Sequence, residues 1–160
     1  MRQINPEHVR MLLAFVNSGP YFELLSMKVC EIKPAYARVE VDLRKEHLNN
    51  FGGIHGGVYA SLIDTAAYWS VYHDMGEETG YTSIDLSVSN LSMVDGGKIV
   101  VEGHAIKMGR SICLAEAEAK DEGGKLLAHG ISKLMVLAGR QSVPQAVVSR
   151  GFPALPPKFI

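Results

Sequence analysis

Apolar residues recur at two periods along this chain, and the changes of period mark out its elements. Val9, Leu12, Leu13 and Val16 repeat at intervals of three and four, which predicts a helix over residues 6–17. Asn5 is placed to cap it, Pro6 takes the first helical position, and Glu7 suits the positive end of the helix dipole. Gly19-Pro20 ends this segment, and a loop or short turn through Tyr21-Phe22 follows. The period then drops to two. Leu25, Met27 and Val29 alternate with polar residues, and Ala35, Ala37, Val39, Val41 and Leu43 alternate against Tyr36, Arg38, Glu40 and Asp42. These are strands, the second with one face in water.

From about residue 56 to residue 75 the helical pattern returns, apolar on most sides and stopping near Gly76. Such a helix is buried rather than laid on a surface. Its small residues Ala60, Ser61, Ala66 and Ala67 let a sheet or another helix come close. Beyond the polar loop 76–80 only strand patterns remain. Ile84, Leu86 and Val88 alternate, while Leu91 and Met93 continue out of phase, which predicts a bulge or bend near Ser89-Asn90. Turns at Asp95-Gly96-Gly97, Met108-Gly109-Arg110 and Asp121-Glu122-Gly123-Gly124 separate strands over 99–107, 111–120 and 126–137. Cys113, Ala115, Ala117 and Ala119 give one strand face small side chains, a seat for the helix. The order is an α+β layer, with antiparallel hairpins around a single long helix. Residues 139–160 are rich in proline and valine without a clear period, a tail expected to be disordered or to drape over a neighbouring subunit. No internal repeat divides the chain, so 1–138 reads as a single domain.

Composition narrows the class without naming a function. A chain of 160 residues, 47% hydrophobic, supports one real core, and a net charge of −1 offers no field for nucleic acid or an anionic membrane. Neither is expected as a partner. No apolar run is long enough to span a bilayer and the opening residues do not read as a signal peptide, so the expectation is a soluble cytoplasmic protein. Cys30 and Cys113 fall inside strand patterns and read as reduced, structural thiols. His73, His104 and His129 are scattered without ligand spacing, so no metal is proposed.

The chemistry concentrates where the loop Asn49-Asn50-Phe51-Gly52-Gly53-Ile54-His55-Gly56-Gly57 runs into the long helix. The glycines let backbone approach a ligand closely, and a helix start carries unpaired N–H groups backed by the positive dipole end. That combination holds an anion or a developing oxyanion. Asp64 stands farther along, with Ala60, Ser61, Ala67 and Tyr68 as its helical neighbours. A carboxylate on so apolar a face is either hydrogen-bonded for structure or kept for chemistry; downstream of a glycine-rich helix start, chemistry is the stronger reading. Gly56 and Asp64 are eight positions apart, and at about 1.5 Å per residue that is roughly 12 Å along the axis. One reacting carbon cannot touch both groups of a single chain. The two halves are expected to meet across a pair of antiparallel chains.

The run Asn49-x-x-Gly52-x-x-His55-Gly56-Gly57, with Asp64 nine residues beyond the histidine, resembles the hotdog-fold acyl-CoA thioesterases of the phenylacetate-degradation (PaaI-like) type. The resemblance covers residues 22–138. It implies a hotdog fold, an antiparallel sheet wrapped around one long central helix with a helix before it. It implies hydrolysis of acyl-CoA, with coenzyme A as part of the substrate and no separate cofactor, in a homo-oligomer that is a dimer or a dimer of dimers. The Gly56 N–H, with the Asn49 amide, would polarise the thioester carbonyl. Asp64 of the partner subunit would act as general base or as nucleophile, Ser83 would orient the water, and His55 would brace the loop. Gly57, with Lys107, Gly109, Arg110 and Ser111 of a hairpin, would lie beside the coenzyme, the two cations suiting phosphates. Tyr59, Tyr68 and Trp69 would suit an aryl or medium acyl group, though as helix aromatics they are more often plain core. Two other readings stand beside this one: a hotdog dehydratase or hydratase, which needs an active histidine near the acid, and a non-catalytic acyl-CoA-binding protein, which does not need the intact Asn49, Gly56 and Asp64 set.

Overall fold

The computed structural model describes residues 3–160. Helix α1 (Pro6–Asn17) starts where its cap chemistry puts it, with the Asn5 side chain accepting from the Glu7 N–H, and it buries Leu12 and Val16. Gly19-Pro20 does not lead into a loop. Proline at a first helical position loses no hydrogen bond and has a helical φ already, and Pro20 opens a second helix, α2 (Pro20–Leu25). Ser26, at φ 54°, ends it, so β1 (Met27–Lys33) begins two residues after Leu25.

Five further strands complete one sheet: β2 (Tyr36–Asp42), β3 (Thr79–Asn90), β4 (Lys98–Met108), β5 (Ile112–Asp121) and β6 (Leu126–Ala138). Every pairing is antiparallel and the order is β1-β2-β4-β5-β6-β3, which leaves β1 and β3 as edges. Helix α3 (Gly56–Ser70), extended by a 3-10 turn at Tyr72–Asp74, packs against all six strands. Cys113, Ala115, Ala117 and Ala119 are fully buried beneath it. Contact is closest at Gly103, where a Cβ would lie 2.2 Å from the Ala66 carbonyl oxygen. This is the hotdog fold, an α+β sheet around a central helix. Cys30 and Cys113 are both free thiols.

The structure sharpens two expectations. Regular pairing of β3 with β6 ends at Asn90, where the N–H groups of Leu91 and Ser92 both turn to the Leu127 carbonyl, two residues opposite one, as in the bulge expected near Ser89-Asn90. A second irregularity, between Ser83 and Asp85, carries no mark in the apolar pattern. The tail is not disordered; it packs on its own chain. Its helix α4 (Val143–Ser149) opens with the Ser142 N–H donating to Gln145 Oε1 at 3.2 Å. Val147 is fully buried, and Phe152 meets the Phe15 ring edge-on at 5.2 Å. The last residues return to α1: Asn5 N–H donates to the Lys158 carbonyl at 2.8 Å and Ile160 N–H to the Gln3 carbonyl at 3.0 Å. A chain segment with its own apolar anchors and backbone partners has no need of a second subunit to order it.

Candidate active site

The glycine-rich loop is a braced structure. The Asn49 N–H donates to the Gly53 carbonyl at 2.7 Å, and Asn49 Oδ1 accepts from the N–H groups of Phe51 and Gly53 at 2.9 and 3.3 Å. Its Nδ2 reaches the Ile54 carbonyl only at 3.4 Å, which leaves that amide weakly engaged. Buried His47 ties the loop to α2 through Nε2 and the Leu25 carbonyl at 2.7 Å, and its own carbonyl accepts from the His55 N–H at 2.9 Å. His55 is the N-cap of α3: its Nδ1 accepts from the Gly57 N–H at 2.8 Å. That nitrogen is committed to the cap, so a brace rather than a base is what the geometry offers. Among the described residues nothing accepts from the Gly56 N–H. A Cβ on residue 56 would stand 2.7 Å from Asn90 Nδ2, so a larger residue would push that amide away from the helix start. Asn49, Gly56, Tyr59 and Asn90 line a hollow of about 310 Å³ there.

Asp64 faces a different cavity, of about 530 Å³, walled by α1, α2, α3 and β3. Phe15, Phe22, Met27, Trp69 and Leu86 make it apolar. Asp64 Oδ1 is buried and has no hydrogen-bond partner among the described residues. Ser61, one turn earlier, is occupied: it bonds Tyr21 Oη at 2.6 Å and donates to the Gly57 carbonyl at 2.9 Å, which fastens α2 over the cavity. Tyr68 Oη donates to the Tyr81 carbonyl at 3.1 Å; burial, with the Asp64 charge second, pushes the phenol up to about 12. It stays neutral beside the acid.

The remaining predicted residues fall elsewhere. Ser83 pairs with buried Leu134 and lies just before the register shift in β3. It does not line the Asp64 cavity, where β3 contributes Leu86. Lys107, Arg110 and Ser111 are exposed on the β4–β5 hairpin. Gly109 makes that hairpin tight, since a Cβ there would meet the Ile112 carbonyl oxygen at 2.2 Å. Ser111 accepts from the Val136 N–H at 2.8 Å, and Val136 pairs with Tyr81, which packs on Tyr68 with ring centres 4.3 Å apart. The hairpin therefore stands near the far end of α3 from Gly56. One chain brings Asn49, His55, Gly56 and Gly57 together, holds Asp64 apart, and places the hairpin near neither the loop nor its hollow. Pattern reading missed His47, Asn90, Tyr21 and Arg150. Only the Gly19-Pro20 helix start and the serine–glutamine pair before α4 could have signalled the last two.

With this geometry in place, the comparisons are consistent. The sequence profile described as the thioesterase superfamily matches residues 51–128, and a second profile, described as a domain of unknown function, matches residues 8–88. An esterase-like protein of Archaeoglobus fulgidus is 32% identical over 108 residues, covering 67% of this chain and 68% of that one. Acyl-coenzyme A thioesterase 13 of the mouse is 26% identical over 130 residues, covering 78% of this chain and 91% of its own. The crystal structure of a thioesterase from Haemophilus influenzae superposes with a TM-score of 0.74 at 20% identity, covering 79% and 88% of the two chains. The chain belongs to the thioesterase superfamily. Its general chemistry is thioester hydrolysis.

Proposed function

We propose that the protein hydrolyses acyl-CoA thioesters at two equivalent sites, each assembled from two copies of the chain. The observation that carries this reading is Asp64, which lines an apolar cavity and keeps one carboxylate oxygen, Oδ1, buried without a partner among the described residues. Leaving such a group unpaired costs stability, and a base awaiting water and substrate explains why it is kept. The Gly56 N–H is the complementary group, a free donor at the positive end of α3. The two stand roughly 12 Å apart along α3, so a second chain has to supply one of them.

The exterior supports such a pair. Strand β3 is a twelve-residue edge, and Ile84 and Leu86 on it are exposed. Phe51 projects from the loop with 94% of its surface in solvent. Long edges and bare aromatic rings are liabilities unless another chain covers them. Ile112, Ile131 and Met135 on the outer sheet face are also exposed, which suits a further contact between dimers.

In the reaction, the carbonyl oxygen takes the Gly56 N–H and the Asn49 amide as donors. Asp64 of the second copy removes a proton from water as its oxygen attacks the carbonyl carbon. The oxyanion collapses, the carbon–sulfur bond breaks, and the proton leaves with the coenzyme A thiol. Ser83 orients the water, Lys107 and Arg110 meet phosphates, and Gly57, Gly109 and Ser111 offer backbone and hydroxyl contacts to the coenzyme. Asp64 attacking directly would give a mixed anhydride that water then opens. Mixing an Asp64→Asn chain with an Asn49→Ala chain tests the sharing. Each hybrid dimer regains one intact site, so equal mixing restores about a quarter of the wild-type rate. No recovery after proven exchange rejects the composite site. A panel of acyl-CoAs, with thiol release followed by colour, tests the activity itself.

A further inference from the structure

The Asp64 cavity carries one cationic side chain on its rim. Arg150, the C-cap of α4, lines it together with Phe15, Phe22, Trp69 and Leu86. Arg10 and Arg38 are paired with Glu7 and Glu40. Arg150 forms no such pair among the described residues, and Asp64, which lines the same cavity, keeps its buried Oδ1 without a partner among them. Arg150 is nonetheless held in place. Val147 behind it is fully buried, the Phe152 N–H donates to the Val147 carbonyl at 3.0 Å, and the Phe152 ring packs on Phe15. The segment that delivers it lies beyond residue 128, where the match to the superfamily profile ends.

We propose that Arg150 is a specificity-determining residue that receives a carboxylate at the far end of the acyl group, so that thioesters of dicarboxylic acids are the preferred substrates. This rests on the thioesterase reading above. An apolar wall suits a hydrocarbon or aryl chain, and the neutral polar side chains on it are occupied: Tyr21 and Ser61 bond each other, Thr65 donates to the Ser61 carbonyl and Tyr68 to the Tyr81 carbonyl. At the rim of such a wall, a planar guanidinium fork matches a carboxylate in two parallel hydrogen bonds. Phosphates of the carrier are the other source of anionic oxygen, and the two arms of the test separate them from a carboxylate on the acyl group.

The test compares two acyl-CoAs of equal chain length, one ending in a methyl group and one in a carboxylate. Wild type favours the carboxylate in kcat/KM; Arg150→Gln lowers that preference about tenfold, and Arg150→Lys, which keeps the charge but loses the fork, restores part of it. An unchanged preference overturns the proposal. An equal loss for both substrates also overturns it and assigns Arg150 to the carrier's phosphates. A second readout does not depend on hydrolysis. Trp69 is the only tryptophan and lines the cavity, so its fluorescence reports binding of non-hydrolysable S-alkyl-CoA thioethers with the same two endings. Tighter binding of the carboxylate-ended thioether, lost in Arg150→Gln, supports the role of Arg150 even if no acyl-CoA is cleaved. Equal binding of the two thioethers by wild type rejects it.

Discussion

At its start α3 leaves the Gly56 N–H without an acceptor among the described residues, while His55 caps the next one. At the other end, past the 3-10 turn, the Tyr72 and Met75 carbonyls both accept from Lys158 Nζ, at 2.5 and 2.7 Å. Lys158 is fully buried, its ammonium 4.1 Å from the Tyr72 ring centre, and His8 Nε2 holds Tyr72 Oη at 2.6 Å. Helix ends always carry orphan groups. Here one end is closed by the chain's own tail and the other is left partly open. An open donor beside a braced loop is a place for a ligand oxygen, whereas a closed acceptor end is a fastening. Asp64 sits between them as a second open group, and the contrast predicts which substitutions damage activity and which damage stability.

The largest effect belongs to Asp64. Asp64→Asn lowers thioester hydrolysis by about a thousandfold, within the range for loss of a positioned acid or base. The same change neutralises a side chain whose Oδ1 is buried without a partner among the described residues, so the melting temperature stays level or rises. Thiol release and a thermal melt on one sample check both halves; a fall in stability would mean that Asp64 is a structural group. Lys158→Met does the reverse. It keeps the apolar stem but strips two carbonyls of their donor, costing about 2–4 kcal/mol in urea denaturation. Activity per folded molecule is retained.

A third prediction concerns pH. Burial pulls the Lys158 ammonium down from 10.5 to about 8, against the opposing charges of Glu77 and Asp74. Between those values the unfolded chain binds more protons than the folded one. Stability therefore rises with pH through that window, by at most about 1.4 kcal/mol per unit, and the penalty stands in full below pH 8. Burial pushes the Tyr68 phenol up to about 12 and Tyr72 up as well, which acts in the opposite sense only above the ordinary tyrosine value of 10.0. Urea titrations at pH 8 to 10 show the slope in wild type, and Lys158→Met abolishes it.

The open end of α3 was far more legible in the sequence than the closed one. Glycines, a histidine and an acid on an apolar helix are local signals, and their spacing alone implied that Gly56 and Asp64 stand apart, as they do against two different cavities. Lys158 gave no signal, because a lysine near a terminus looks solvated until its carbonyl partners, more than eighty residues away, are known. Helix α2 was lost because Gly19-Pro20 serves equally as an ending or as a cap followed by a first helical residue. The bulge after Asn90 was legible because Leu91 and Met93 fall out of phase with Ile84, Leu86 and Val88, whereas the shift between Ser83 and Asp85 leaves that alternation intact. Arg150 needed the fold of the tail to bring it to the cavity.

The smallest effect, and the most discriminating for the open end, is at His55. His55→Ala removes the cap on the Gly57 N–H and lowers stability by about 1 kcal/mol, as losing an N-cap does. Asparagine and aspartate both restore a side-chain acceptor at that position, so both recover the loss. They part company in activity. Aspartate brings a negative charge to the helix start, next to the Gly56 N–H that is to stabilise a developing oxyanion, and charge there opposes charge in the transition state. His55→Asn should therefore regain stability and rate together, while His55→Asp regains stability and stays slow, with the deficit in kcat. If the two variants hydrolyse thioesters equally well, the start of α3 is a structural cap like its other end, and the oxyanion has to be held elsewhere.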